Sequence, residues 1–404
     1  MKLLAYTSPA RGHLYPLVPI LSELLVRGQD VHVHTLAEEL AQVQALGIDA
    51  RPLDPAVAAI EIEDWRKRSL IASSRSVLAT LAARARVEVP DLTRAIELHD
   101  PDVLLIDVNC WGAATVAEAS GRPWAIYSPY LLPLPSRDAP PFGLGLRPLN
   151  GPLGAARDAL ARAAAHFGFD RTVMPEVNRL RDRAGLDHVG SYAQLLARPG
   201  ALLALTAEGF EYPRRDWPEN VRLVGALDWA PSAPEPEWLS ELGEPLVLAT
   251  CSTERQRDKR LVRVALQALP AAGISVLATT AAHDPSEFHA PAGSRVVRFL
   301  AHEAVLPRIA CVLCHGGMGI TQKALAAGVP VVVVPIGRDQ LETARRVEVA
   351  EAGVRLMPRK LTPERLVQAV RTAIGLRAGA ERVSRAYAEA GGRAAAADAI
   401  EALV

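Results

Sequence analysis

CHGGMGITQKALAAGVPVVVVPIGRD, running from Cys314 to Asp339 and followed by Gln340, reads as a turn, a helix and a strand in immediate succession. Gly316, Gly317 and Gly319 make the turn, and an apolar helix follows from Thr321 to Ala327, which Gly328 caps and Pro330 stops. Val331 to Val334 is a β-branched run too short for a helix and without a polar face, as expected of a parallel strand buried on both sides. Glycines without Cβ atoms let backbone N–H groups approach a ligand where a helix begins and its dipole is positive, which makes an anion site. His315 adds a donor at the entrance, and Asp339 and Gln340 after the next strand can hold vicinal hydroxyls. Phosphate donors followed by hydroxyl binders point to a nucleotide sugar. A glycine turn serving only a tight strand-helix junction accounts for the glycines, but not for His315, Asp339 and Gln340.

The chain has 404 residues, which suits two domains of roughly 200 residues each. Lys plus Arg and Asp plus Glu number 45 each, so no global field recruits nucleic acid or an acidic membrane surface. Cys110, Cys251, Cys311 and Cys314 are too few for a secreted disulfide framework, and Cys311 and Cys314 lack a second pair to complete a zinc site. They read as buried small hydrophobes. The start, MKLLAYTSPARGH, has too short an apolar run for a signal peptide, and no stretch reaches the roughly 18 apolar residues of a membrane span. The expectation is a cytoplasmic protein.

Lys2 to Tyr6, a helix from Leu14 to Val26 and Val31 to Leu36 make a right-handed βαβ unit, which places His13 at the carboxyl end of a strand. Strands are expected at 102–106, 125–127, 202–206 and 221–224, and helices at 111–119, 153–167 and 176–183. Residues 60–76 suggest an exposed helical excursion, and the seven prolines from Pro129 to Pro152 mark a long irregular loop. Residues 228–236, DWAPSAPEP, read as a linker. A second α/β series follows, with strands at 245–250, 275–279, 295–298 and 310–313 and a helix at 259–269. Residues 382–404 read as one alanine-rich helix. His32 and His34 read as ordinary strand residues.

HGGMGITQKAL, then GVPVVVVP, then DQ resembles the donor-binding signature of the GT-B, family 1 glycosyltransferases, the group that glycosylates antibiotics and plant metabolites. The match is dense over some 25 positions and looser over the whole chain. It implies two Rossmann-like α/β domains facing a cleft: an acceptor domain at 1–227, the linker 228–236, a nucleotide-sugar domain at 237–381, and a helix at 382–404 returning to the first domain. It further implies inverting transfer of a sugar from UDP or dTDP to a hydroxyl on a hydrophobic small molecule, with no other cofactor. A homodimer stays open.

By that resemblance His13, in RGHLYP, is the general base and Asp107 the carboxylate that orients it. Their alternatives are a locally bonded helix-start histidine and an N-cap for the helix at Trp111. His315, Gly316, Gly317, Met318, Gly319 and the Thr321 hydroxyl would face the diphosphate, joined from an opposing loop by Ser252 and Thr253. That loop, TCSTERQRD, departs from the family's glycine-serine turn. Phe299, Leu300 and Ala301 match the base-reading segment, with core packing of Phe299 as the alternative. Asp339 and Gln340 would hold the donor sugar. Ile320 replaces a frequent Thr, and Lys323 stands where relatives carry the Glu that binds ribose, a change that suits a deoxyribose donor. No DxD-like acidic cluster is present, so a metal is not required. Rivals are a sugar-nucleotide epimerase, a lipid-linked sugar transferase, and an auxiliary protein that binds nucleotide sugar without turnover.

Overall fold

The computed structural model describes residues 1–67, 69–231 and 233–404. Arg68, in the 60–76 excursion, and Ser232, in the 228–236 stretch, lie outside the described residues. The first sheet contains β1 (Lys2–Tyr6), β2 (Asp30–Thr35), β3 (Asp49–Pro52), β4 (Val103–Asp107), β5 (Trp124–Ser128), β6 (Ala201–Ala204) and β7 (Val221–Leu223). The second contains β8 (Leu246–Thr250), β9 (Ser275–Thr279), β10 (Ser294–Val297), β11 (Ile309–Cys314), β12 (Val331–Val333) and β13 (Gly353–Arg355). Their orders are β3-β2-β1-β4-β5-β6-β7 and β10-β9-β8-β11-β12-β13, and every strand pair is parallel. The near-continuous Val/Leu/Ile runs follow from helices covering both faces of each sheet. Leu4 and Ile106 pack into one face of the first sheet and Leu3 and Leu105 into the other; Leu248 and Val247 divide the second sheet in the same way.

Several expected elements change length. The 60–76 excursion becomes a short turn at Asp64–Arg66 and the start of a 30-residue helix, Leu70–His99, with Pro90 inside it. The two helices expected at 153–167 and 176–183 are one helix, Pro152–Arg183, which runs through Pro175. In both, burial on neighbouring helices outweighs the local cost of proline. The helix after β1 starts at Arg11, so Pro16 lies inside it and not in its first turn. The carboxy-terminal helix is two, Arg377–Glu389 and Gly392–Glu401, because Gly391 takes φ +86° between them. Ala396, Ala397 and Ile400 then join the core of the first domain. Arg27 reinforces the return by donating to Asp398 and Glu401. Among the described residues no helix is long and apolar enough to cross a membrane.

Gly225 sits where this returning segment passes the end of the first sheet. Its φ is +84°, and a Cβ there would stand 2.3 Å from the Tyr387 carbonyl oxygen. Gly225→Ala is therefore expected to destabilise the protein by on the order of 1–3 kcal/mol, read as a lower chemical-denaturation midpoint. An unchanged midpoint would mean that the Tyr387 backbone gives way at no cost.

Candidate active site

Each sheet reverses its strand order once, and ligands in such sheets bind at the crevice opened there. In the first sheet the reversal lies between β1 and β4, which lead to His13 and end on Asp107. In the second it lies between β8 and β11, which lead to Ser252 and His315. The two crevices meet in one cavity of about 380 Å³, lined by His13, Asn109 and Tyr130 from one side and by Glu254, Arg338 and Asp339 from the other.

His13 Nδ1 lies 2.7 Å from Asp107 Oδ2, a partner 94 residues away, which removes the locally bonded alternative. The N-cap alternative for Asp107 falls too: the helix Trp111–Ala119 has Cys110 at its N-cap and no side-chain cap bond. Asp107 is wholly buried and accepts also from the Tyr127 hydroxyl (3.0 Å) and from the N–H groups of Ser8 (3.2 Å) and Asn109 (2.8 Å). Burial pushes its carboxyl up, but His13 and these donors outweigh it and hold the group below its ordinary value. For His13, burial pulls down and the Asp107 carboxylate more than restores, leaving the imidazole above its ordinary value. With Nδ1–H donated to Asp107, the lone pair is on Nε2, where the Asn109 amide nitrogen stands at 3.3 Å. The Tyr130 hydroxyl, 2.7 Å from Asn109 Oδ1, orients that amide. The arrangement is an imidazole with its tautomer set by a buried carboxylate.

The glycine turn is shaped by its neighbours. Gly316 has φ +94°, and a Cβ on it would meet Val333 at 2.6 Å; a Cβ on Gly317 would meet His315 Nε2 at 2.5 Å. Nothing crowds Gly319, so the approach to the helix Met318–Ala326 stays open there. His315 Nδ1 is buried without a hydrogen-bond partner, and burial holds the imidazole well below its ordinary value. It is a neutral donor or acceptor.

Three further residues depart from expectation. The Thr321 hydroxyl is wholly buried and donates to the Gly317 carbonyl at 2.9 Å, so it braces the turn. The Gln340 amide is consumed inside its own domain: Oε1 accepts from Ile336 N–H (2.8 Å) and Gly337 N–H (3.0 Å), and Nε2 donates to Gln256 (2.7 Å). The Ser252 hydroxyl accepts from Glu254 N–H and the Gln256 amide, while Thr253 is exposed. Asp339 lines the cavity with His13, and burial raises its carboxyl. Met318 is buried at the helix start.

Phe299 is 55% exposed, which removes the core-packing alternative; Leu300 is half-buried and Ala301 buried behind it. Lys323 does not present a free ammonium in place of the family's Glu. It is held between Asp228 (2.6 Å) and Glu303 (2.9 Å), and burial with the facing Glu303 pushes the Asp228 carboxyl up to about 7.

Residues 60–76 and the proline-rich loop wall the cavity through Ile62, Pro133, Leu134 and Phe142, and Val77, Leu81, Phe169 and Tyr192 from the long helices and the segment after them complete its apolar side. Tyr127, Asn109, Glu254 and Arg338 had not been singled out. Tyr127 had a signal, since it stands level with Asp107 on the adjacent strand. Arg338 had none: it reaches across the cleft to both carboxylate oxygens of Asp64 (3.0 and 2.9 Å), and it donates also to Glu254 of its own domain.

Lys323→Met should lower stability by on the order of 1–3 kcal/mol at pH 8, where Asp228 and Glu303 face each other without their cation. Both carboxyls would then have raised folded-state pKa values, so the deficit should shrink as the pH falls to 5 and one of them holds a proton. Melting temperatures against pH check this; a deficit independent of pH would reduce Lys323 to a packing role.

Comparison with known proteins places these features. Residues 264–404 match the family described as Erythromycin biosynthesis protein CIII-like, C-terminal domain. The chain is 33% identical over 428 aligned positions to 4'-demethylrebeccamycin synthase of Lentzea aerocolonigenes, covering 100% of this chain and 99% of the relative. Among solved structures, the glycotransferase of kitacinnamycin superposes with a TM-score of 0.75 at 22% identity, over 100% of this chain and 99% of that one. The spinosyn rhamnosyltransferase solved with thymidine diphosphate superposes with a TM-score of 0.73 at 19% identity, over 99% and 100%. With two Rossmann-like domains, a shared cleft and a full-length relative at that identity, this chain belongs to the GT-B glycosyltransferases of the natural-product type.

Proposed function

We propose that this glycosyltransferase is inverting and metal-independent, and that it moves a sugar from a UDP- or dTDP-sugar to a hydroxyl of a hydrophobic small molecule in the cytoplasm. The observation that carries the reading is the 2.7 Å contact of His13 Nδ1 with buried Asp107, which leaves Nε2 turned to the cavity shared with Asp339. An acceptor hydroxyl replacing the Asn109 amide at Nε2 gives up its proton there as its oxygen attacks the anomeric carbon. The bond from that carbon to the diphosphate oxygen breaks on the opposite side. A single displacement inverts the centre.

The leaving diphosphate gains negative charge, which the N–H groups at the start of the helix Met318–Ala326 are aimed to stabilise. Imidazolium forming at His13 is balanced by Asp107. Asp339 is the carboxylate available to donor-sugar hydroxyls, since Gln340 is committed to its own loop. The aromatic and aliphatic wall of Val77, Leu81, Phe142, Phe169 and Tyr192 favours a flat, apolar acceptor. The solved rhamnosyltransferase with thymidine diphosphate supports a dTDP-linked donor. Lys323 gives that choice no support, because its charge is met by Asp228 and Glu303.

With an aliphatic alcohol acceptor, His13→Ala should lose roughly 10²–10⁴ in turnover while binding the nucleoside diphosphate as the parent does. Full turnover in that variant would sink the assignment. Asp107→Asn should lose less and should move the acid limb of kcat/KM to lower pH, because the carboxylate that raises His13 is gone. An unmoved limb would mean that His13 is not the titrating base.

Excess EDTA should leave the transfer rate unchanged, and a rate lost to EDTA and restored by magnesium or manganese would overturn the metal-free reading.

A further inference from the structure

Three imidazoles and a carboxylate gather at the β2–β3 edge of the first sheet. His32 is the third residue of β2, level with Asp49, the first residue of β3, and His99 ends the helix Leu70–His99. His34 stands level with Tyr6, the last residue of β1, but none of these four residues lines the cavity that holds His13. His32 Nδ1 is 2.8 Å from Asp49 Oδ2, and the His32 and His99 rings lie 4.3 Å apart between centroids. His99 Nε2 is 3.2 Å from His34 Nε2. One ligand atom from each of His32, Asp49 and His99 falls within 4.8 Å of the other two.

The cluster is poorly satisfied by its own hydrogen bonds. His32 Nε2 and His34 Nδ1 are buried without a hydrogen-bond partner, although Asp30 Oδ1 approaches His32 Nε2 to 3.1 Å outside hydrogen-bond geometry. A neutral imidazole offers a lone pair at one ring nitrogen, so His32 and His99 can each supply one beside the Asp49 carboxylate. Two imidazole nitrogens and one carboxylate oxygen suit a borderline divalent ion, and three protein ligands with a water complete a tetrahedron.

We propose that His32, Asp49 and His99 bind a divalent transition ion of the zinc type, with His34 orienting His99. The ion takes the place of the His32 Nδ1 proton now shared with Asp49; that proton moves to Nε2, beside the Asp30 carboxylate, or leaves to solvent. Asp49 is partly exposed, which opens a way in from solvent. The bound ion ties β2, β3 and the end of a 30-residue helix together. Its effect is on the stability of the first domain and not on the transfer step. The other metal-like cluster among the described residues, Cys251, Asp258 and His283, is buried at all three residues, and Asp258 is already used by Ser252 N–H and His283.

The test uses the full chain stripped by chelator and then titrated with Zn²⁺ in a calorimeter and with Co²⁺ in the visible range. One ion should bind per chain, with a melting temperature that climbs with free Zn²⁺. Co²⁺ should give d–d bands without a thiolate charge-transfer band. His99→Gln and Asp49→Asn should each weaken binding at least about tenfold, and Cys251→Ser should not. Asp49 is at the strand edge, so its variant remains a fair test should His99→Gln fold poorly. No saturable binding, a thiolate band, or parental affinity in Asp49→Asn would overturn the site.

Discussion

The Arg346 guanidinium, 2% exposed, holds the cleft together by joining carboxylates from the two domains. It donates to Glu211 of the first domain at 2.9 Å and to Glu342 of the second at 2.8 Å, with the Tyr212 ring 4.3 Å from its centre. The other oxygen of Glu342 accepts the N–H groups of Gly143 and Gly145, at 2.9 and 2.6 Å, from the proline-rich loop. Removing one partner from such a buried network leaves an uncompensated charge, a loss of about 3–5 kcal/mol. The helix Gln340–Val349 that carries Glu342 begins one residue after Asp339. The proline-rich loop and Asp339 are thus fixed to a common element.

That geometry brings His13, paired with buried Asp107, and Asp339 to a single cavity. Each parallel sheet opens at its own reversal of strand order, and the two openings face one another. Arg338, reaching Asp64 and Glu254, closes a further contact over the same cavity.

Motifs confined to consecutive residues read correctly from composition and order. The turn at Gly316 to Gly319, the helix that follows and the valine strand were visible because φ preference, capping and burial act within a few residues. The pairing of His13 with Asp107 required the family resemblance, since no local force links residues 94 apart. Pro90 and Pro175 sit inside long helices whose packing surface outweighs the missing hydrogen bond. Short strands β3 and β13 passed unnoticed for the converse reason, having too few residues to show a period.

What the sequence determined by itself was the architecture, the glycine turn and the identity of the chemically able residues, because these depend on backbone preference and on side-chain type. The tertiary structure decided which of those residues remain available. Thr321, Gln340 and Ser252 are chemically suited to a ligand yet spend their hydrogen bonds within the second domain. Lys323 is matched by two carboxylates, Asp228 and Glu303, distant from it in sequence. His32 and His34, unremarkable on a strand, meet His99 only when the helix Leu70–His99 folds back along the sheet. Hydrogen-bond capacity is a property of the residue, but whether it is already spent depends on neighbours that only folding brings near.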